Sequence, residues 1–415
     1  MKGHRTALAA LPAILVALGS APAGASGIAT HMFHAEIGAA NVEDPDLRAI
    51  LAANREAWIS AASFPDGGYP VDYVWAEPAH WAPFANAYTE QVKSVCQGRY
   101  TTDAYCEKLV AHLMGAVGHG FEDQVVDALL GPKILEVDGD DSNADFYIDL
   151  FVLHDFDRDA FVPRRWFVPI YDLLAAFDRM PLAGVDRQQL WVGATLIAWG
   201  NVGERIIEPL LIDSTSAELP FAYANYYDYP GGVTYIGEAT AHLFDYYWSR
   251  LNDTAAPRPD VFRPFPPDGA VDVATNRPET DTQIGLVLDR PFVPASVNST
   301  TFHVTDPTNH QVLGVFHHRT SPTSEEPTSH MLRFSPRETL LPNTLYTVTV
   351  DEDATDELGA SLVPGGYSWT FTTGGPAPTG DLVGPSEVFK HYARGTGAMR
   401  ATHGSVFRGI GLGVE

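Results

Sequence analysis

Two domains of different class are predicted, a mainly α-helical bundle over residues 26–255 and an all-β sandwich over residues 270–375. Three observations carry this reading. Apolar residues recur with a helical period from Pro45 to about Ser249, the segment 256–269 is rich in proline, and short alternating runs fill Ala270–Thr373. At 415 residues the chain is long enough to build two cores.

In the first region, Asp46-Leu47-Arg48-Ala49-Ile50-Leu51 opens an amphipathic stretch, and Cys106–Leu130 continues the pattern. Arg165–Asp178, Arg187–Ile207 and Ile236–Trp248 are further helical segments, with Pro or Gly between them. The linker runs from Ala256-Pro257-Arg258-Pro259 to Pro267-Asp268-Gly269. Strand-type runs follow at Ile284–Leu288, Phe302–Val304, Val312–Phe316, Leu345–Val350 and Trp369–Phe371, separated by turn residues. Residues 376–415 are Gly-rich without a period and read as a tail.

Apolar content of 45% and charged content of 19% suit a globular protein. The 52 acidic residues outnumber 26 basic ones, for a formal charge of −26. That balance disfavours tight nonspecific binding to nucleic acid or an anionic membrane surface. It leaves a phosphodiester substrate open, because bound divalent cations invert the local field. Lys2 and Arg5, the apolar stretch Ala7–Leu18 and Ala23-Gly24-Ala25 follow the order of a secretory signal peptide cleaved after Ala25. The apolar run falls short of the roughly 20 residues a membrane span needs, and no later segment is long and apolar enough. Export places Cys96 and Cys106 in an oxidising compartment, where they are expected to form one structural disulfide.

His119, Asp123 and Asp127 lie four residues apart in an apolar helical run, so all three face one side. Burying two carboxylates there is costly unless something positive sits between them. A metal cluster is the simplest account, with Asp66 and His80 upstream and Asp141, Asp145 and Asp149 downstream. The bland reading of His119 is a hydrogen-bonded core histidine. For Asp141 and Asp145 it is solvated charge at a helix start. His34 could replace His31 or cap a helix. Asp138-Gly139-Asp140 hints at a Ca²⁺ loop but lacks the Gly and Glu of an EF-hand. His112 is expected to be packed or exposed, and Arg164-Arg165-Trp166 to pair with acidic loops rather than phosphate. The tyrosines Tyr223, Tyr226, Tyr227, Tyr229, Tyr246 and Tyr247 suit core packing better than a lipid or glycan groove. His303, His310, His317 and His318 suggest no site.

Gly27-Ile28-Ala29-Thr30-His31, Phe64-Pro65-Asp66, His80-Trp81-Ala82-Pro83-Phe84, Lys108-Leu109-Val110-Ala111, His119 with Asp123, Asp145-Phe146 and Arg164-Arg165-Trp166-Phe167-Val168-Pro169 follow one another in a recognisable order. From Ser26 to about Met180 the chain thereby resembles the zinc-dependent phospholipase C superfamily, which includes fungal single-strand nucleases. It is closest to the glycosylphosphatidylinositol-specific phospholipase D branch. The phrases Pro267-Asp268-Gly269-Ala270, Val297–Phe302, Leu341–Val348 and Trp369–Thr373 resemble a bacterial immunoglobulin-like domain, a spacer or attachment module.

The resemblance implies ligands for two or three zinc ions. One ion takes Asp66, His80, His119 and Asp123. A second takes His31, Asp123 as a bridge, and the free amine and carbonyl of Ser26 exposed by signal cleavage. The third set departs from the family: Asp127, Asp141 and Asp145 stand where the family has two histidines and a carboxylate. All-oxygen ligands favour Mg²⁺, Mn²⁺ or Ca²⁺ over zinc. Asp149 and His154 are alternative ligands there. Such a centre lowers the pKa of a bound water toward ~7 and clamps phosphoryl oxygens, with Asp66 both ligand and proton acceptor.

The expected function is a secreted, bacterial, metal-dependent phosphodiesterase. It would act on phospholipid or glycosylphosphatidylinositol linkages and touch the membrane surface transiently. The alternatives are a single-strand nuclease of the same superfamily and a non-catalytic, metal-stabilised binding protein.

Overall fold

The computed structural model describes residues 27–139, 144–156, 163, 165–254, 256, 261–275, 284–317 and 329–375. The chain divides into two compact units at the junction of Ala255 and Ala256. The first is all-helical and the second all-β, which is the division of class the sequence predicts.

Helices α1 (Ile28–Asn41), α2 (Pro45–Ala53) and α3 (Arg55–Ala62) lead into a 3₁₀ turn at Pro65–Val71. Then come α4 (Ala76–Ala79), α5 (Ala82–Cys96) and α6 (Ala104–Val125), with a π turn at Val126–Leu130. The unit ends with α7 (Gly131–Asp138), α8 (Ala144–Asp155), α9 (Ile170–Phe177), α10 (Arg187–Glu218), α11 (Pro220–Asn225) and α12 (Val233–Leu251). Several starts are written in local chemistry. Asp44 accepts from the backbone N–H of Asp46 and Leu47 ahead of Pro45, Asp103 accepts from Tyr105 and Cys106, and Asp186 accepts from Gln189. α1 lacks a cap of its own, because Gly27 precedes it. Asp149 of α8 supplies one, accepting from Thr30 N at 2.7 Å and Thr30 Oγ1 at 2.6 Å, a carboxylate at the positive end of the helix.

The core of the unit is built on α6, whose described residues from Leu109 onward are buried. α6 packs on α3 and α12, and α1 packs on α12. Glycine permits the close approach: a Cβ at Gly115 would stand 2.1 Å from the Trp58 carbonyl, and one at Gly120 only 1.7 Å from the His80 carbonyl. Cys96 and Cys106 form the expected disulfide, joining the end of α5 to the first turn of α6. Among the described residues, no helix is long and apolar enough to cross a membrane.

The second unit holds β1 (Val261–Phe265), β2 (Ala270–Val273), β3 (Ile284–Phe292), β4 (Phe302–Thr305), β5 (Gly314–His317), β6 (Ser329–Pro336), β7 (Leu345–Val350) and β8 (Tyr367–Thr373). Two four-stranded sheets result, in the orders β1-β3-β6-β5 and β2-β8-β7-β4. All pairings are antiparallel except β2 with β8. Leu286, Leu288, Leu332, Phe334, Val348 and Trp369 are among the buried residues of the shared core. The segment expected to be a proline-rich linker contains β1, which pairs with β3 in the register Arg263 to Val287. Pro264 is tolerated because β1 is an edge strand with one neighbour.

Candidate metal centre

Three segments meet inside the helical unit: α1 brings His31 and His34, the loop from the 3₁₀ turn to α5 brings Asp66 and His80, and α6 brings His119, Glu122 and Asp123. Their side chains are buried, except that Asp66 keeps 18% of its side-chain surface exposed. The sequence-predicted quartet Asp66, His80, His119 and Asp123 is brought together. His80 Nε2 lies 3.4 Å from Asp66 Oδ1 and 3.6 Å from Asp123 Oδ2. His119 Nε2 lies 3.4 Å and 3.5 Å from the same two atoms.

These contacts are not hydrogen bonds. The Nδ1 of His119 sits 2.6 Å from the Ala62 carbonyl, and that of His80 2.8 Å from the Ala76 carbonyl. A carbonyl only accepts, so each Nδ1 carries a proton, and when the ring is neutral its Nε2 presents a lone pair to the carboxylates. Both Nε2 atoms are buried without a hydrogen-bond partner. Four such atoms facing one another could share a cation. With metal–ligand bonds of about 2.0–2.1 Å, neighbouring ligands of a tetrahedral ion stand about 3.3–3.4 Å apart, close to the four separations observed. The backbone carbonyls play the part that outer partners of metal-bound histidines play elsewhere, fixing tautomer and ring orientation.

Asp123 faces two ways. Its Oδ2 belongs to the quartet, while its Oδ1 lies 3.1 Å from His31 Nε2. Asp123 thus places one carboxylate oxygen toward the quartet and the other toward His31. The His31 and His119 rings stack at 3.7 Å. Without a cation, these groups compete for protons. Burial opposes charging His31, yet the Asp123 and Glu122 carboxylates outweigh it and hold its pKa well above the ordinary imidazole value. Burial and the neighbouring His31 imidazole push that of His119 down. Burial would raise the Asp66 carboxyl, but His119 and His80 outweigh it and hold the pKa well below the usual range.

Asp127 and Asp145 join no three-ligand group among the described residues. The α-helix gives way to a π turn at Val126, so the four-residue spacing that aligns His119 with Asp123 does not carry through to Asp127. Asp127, Asp145 and Asp149 instead make a carboxylate set of their own. Burial first, and then Asp149 and Asp127, raise Asp145 well above the normal carboxyl range. Glu204 of α10 adjoins them, raised by burial and by Asp149. Ser26 and Asp141 lie outside the described residues, as do Asp140, Arg164 and His318.

The remaining singled-out groups are structural. Asp138 accepts from Phe221 N and Ala222 N, both at 2.9 Å, capping α11, while Asp140 of the suggested Ca²⁺ loop lies outside the described residues. His154 pairs with Glu208 at 2.9 Å. His112 is buried among Phe64, Tyr88 and Phe167. Tyr223, Tyr226 and Tyr227 pack on Phe151 and Phe156. Sequence reasoning missed Glu122 and Glu204. Glu122 had a signal, since it lies three residues after His119 on the same face. Glu204 had none, because α10 is distant in sequence.

A helical unit with this centre, followed by a β-sandwich, defines the class of protein, and comparison with known proteins narrows it. Residues 253–373 match the family model of the bacterial Ig-like domain. Over about half its length the chain is weakly homologous to phosphatidylinositol-glycan-specific phospholipase D. The Rattus norvegicus protein is 27% identical over 197 residues, 43% of this chain and 23% of the relative. The Homo sapiens protein is 27% identical over 244 residues, 52% of this chain and 28% of the relative. The Dictyostelium discoideum protein is 23% identical over 193 residues, 43% of this chain and 20% of the relative. The chain thus spans less than a third of the length of these curated relatives. Among solved structures, surface-layer protein SbsC domains 1–6 aligns over 72% of this chain and 46% of that chain at 12% identity, with a TM-score of 0.22 that carries no structural argument.

Proposed function

We propose that this chain is a secreted, metal-dependent phosphodiesterase that hydrolyses phospholipid or glycosylphosphatidylinositol linkages. The observation that carries it is the quartet Asp66, His80, His119 and Asp123, in which two imidazole lone pairs and two carboxylates share one buried space. The names of the relatives supply the substrate class. Those four residues would hold one divalent ion, with zinc favoured by mixed nitrogen and oxygen ligands. His31 and Asp123 would begin a second position, completed by the amine and carbonyl of Ser26 once residues 1–25 are removed. Asp127, Asp141 and Asp145 would suit a harder ion such as Mg²⁺, Mn²⁺ or Ca²⁺.

Bound divalent ions supply Lewis acidity toward water and phosphoryl oxygens. The chain's own residues do the rest. Asp66 is the exposed member of the quartet, so its carboxylate meets an incoming water and accepts its proton. The carbonyls of Ala62 and Ala76 keep His119 and His80 from turning away as charge develops. The β-sandwich, which takes in β1, serves as a spacer or attachment module, and residues 376–415 as a tail.

The test is hydrolysis of phosphatidylcholine and glycosylphosphatidylinositol in vesicles, with and without chelator, for the wild type and D66N. Turnover abolished by chelator and by D66N is expected. Full turnover in excess chelator refutes the proposal, and the released product tells C-type from D-type cleavage.

A further inference from the structure

Glu122 lies within reach of two histidines, and nothing in the quartet accounts for it. Its Oε2 stands 2.6 Å from His31 Nδ1 and 3.5 Å from His34 Nδ1, and its Oε1 lies 3.4 Å from the Thr240 hydroxyl, which donates to it. All three of His31, His34 and Glu122 are buried. Three such side chains converging raise two possibilities: a further metal site, or a hydrogen-bonded support for the neighbouring one.

Distance decides between them. Two atoms bound to one ion at about 2.0–2.1 Å stand about 3.3 Å apart in a tetrahedral shell. At 2.6 Å, His31 Nδ1 and Glu122 Oε2 are too close for that and have the length of a charge-assisted hydrogen bond. A carboxylate accepts, so Nδ1 carries a proton and donates it to Glu122 at the shorter of the two His31–carboxylate contacts. His31 therefore points Nε2, buried and without a hydrogen-bond partner, at Asp123 Oδ1 3.1 Å away. The arrangement is a carboxylate–histidine–cation line, the pattern by which outer carboxylates orient a ligand ring and raise its basicity.

We propose that Glu122 is a positioning residue that fixes His31 as a ligand of the second ion. This rests on the metal-centre reading above. It also separates the two positions: His80 and His119 are oriented by backbone carbonyls, which no side-chain substitution removes, whereas His31 depends on one side chain. Loss of Glu122 then weakens one ion and spares the other.

The experiment measures zinc content and affinity by chelator competition on the full chain, comparing wild type with E122A and the isosteric E122Q, and records absorption with cobalt in place of zinc. The expected wild-type result is at least two ions. In E122A one ion is held 10- to 100-fold more weakly and the other is unchanged. In E122Q the amide oxygen still accepts from His31, so part of the affinity returns, with an altered cobalt spectrum for that ion alone. Melting of the metal-free proteins reports folding, and a merely structural Glu122 would lower that melting temperature without separating the two affinities. Should E122A not fold, E122Q decides. Wild-type affinity and an unaltered spectrum in E122Q overturn the positioning role while leaving the metal centre intact. A wild type that binds no ion overturns both.

Discussion

Gly120 offers a sharp test of how helix packing sets the centre. Its Cβ position lies 1.7 Å from the His80 carbonyl oxygen and 2.6 Å from the carbonyl carbon, both backbone atoms that no rotamer change can move. An ordinary carbon–oxygen contact is about 3.3 Å, so G120A must drive α6 and the His80 turn apart by about 1.5 Å. Overpacking of this kind costs about 1–3 kcal/mol, and a backbone clash belongs at the upper end. The better helix propensity of alanine returns about 1 kcal/mol, leaving a net loss of about 2 kcal/mol. For a unit of this size that lowers the melting temperature by about 4–8 °C. The effect on the ion is larger, because ligand distances must hold within about 0.2 Å and His80 sits on the side being displaced. Calorimetry with and without zinc reads both effects. G131A is the control, since a Cβ there meets its nearest neighbour at an ordinary 3.6 Å. A G120A chain with wild-type melting temperature and full stabilisation by zinc would refute the reasoning.

Further outcomes follow from other parts of the molecule. Chelator is expected to lower the melting transition of the helical unit and leave that of the β-sandwich in place; equal shifts in both would contradict a centre confined to the first unit. Replacing Cys96 and Cys106 by serine is expected to cost about 2–3 kcal/mol from the entropy of a short closed loop, read by urea denaturation, and an unchanged midpoint would argue against the bridge. Acid should destabilise both units, because burial holds His112 and His330 neutral with pKa values pushed down to about 3. Between the unfolded value of about 6.5 and 3, the unfolded chain binds a proton that the native chain does not, so each costs about 1.4 kcal/mol per pH unit as pH falls. H330L should flatten that loss in the β unit between pH 6.5 and 5, and an equally steep decline in H330L would remove His330 as its cause.

The legible parts of the fold are those in which local chemistry and tertiary packing agree. The helical stretches read from Asp46, Cys106 and Arg187 fall on α2, α6 and α10, and alternating Leu345–Val350 falls on β7. β6 was not legible: its Ser329–Pro336 segment carries His330 and Arg333, both buried, so the central strand does not alternate cleanly. β1 was hidden by prolines that only an edge strand accepts. In the site, the quartet could be read because its members sit in short phrases around turns and on one helical face. The fate of Asp127 could not, because a π turn changes which residues share a face, and period counting assumes an unbroken α-helix. Glu204 reaches the carboxylate group through tertiary packing that no local pattern encodes.

The residues proposed to hold the ion, His31, Asp66, His80, His119 and Asp123, come from three separate segments of the chain. A nascent or unfolded chain therefore offers no local claw for an ion, unlike short loops that gather all their donors within a dozen residues. Capture waits until α1, the 3₁₀ turn and α6 have docked, so the ion reports completion of the domain rather than seeding it. Once held, it stabilises the entire helical unit by mass action, by about 4 kcal/mol at a free concentration a thousandfold above its dissociation constant. Availability of the ion would then govern how long the folded helical unit persists.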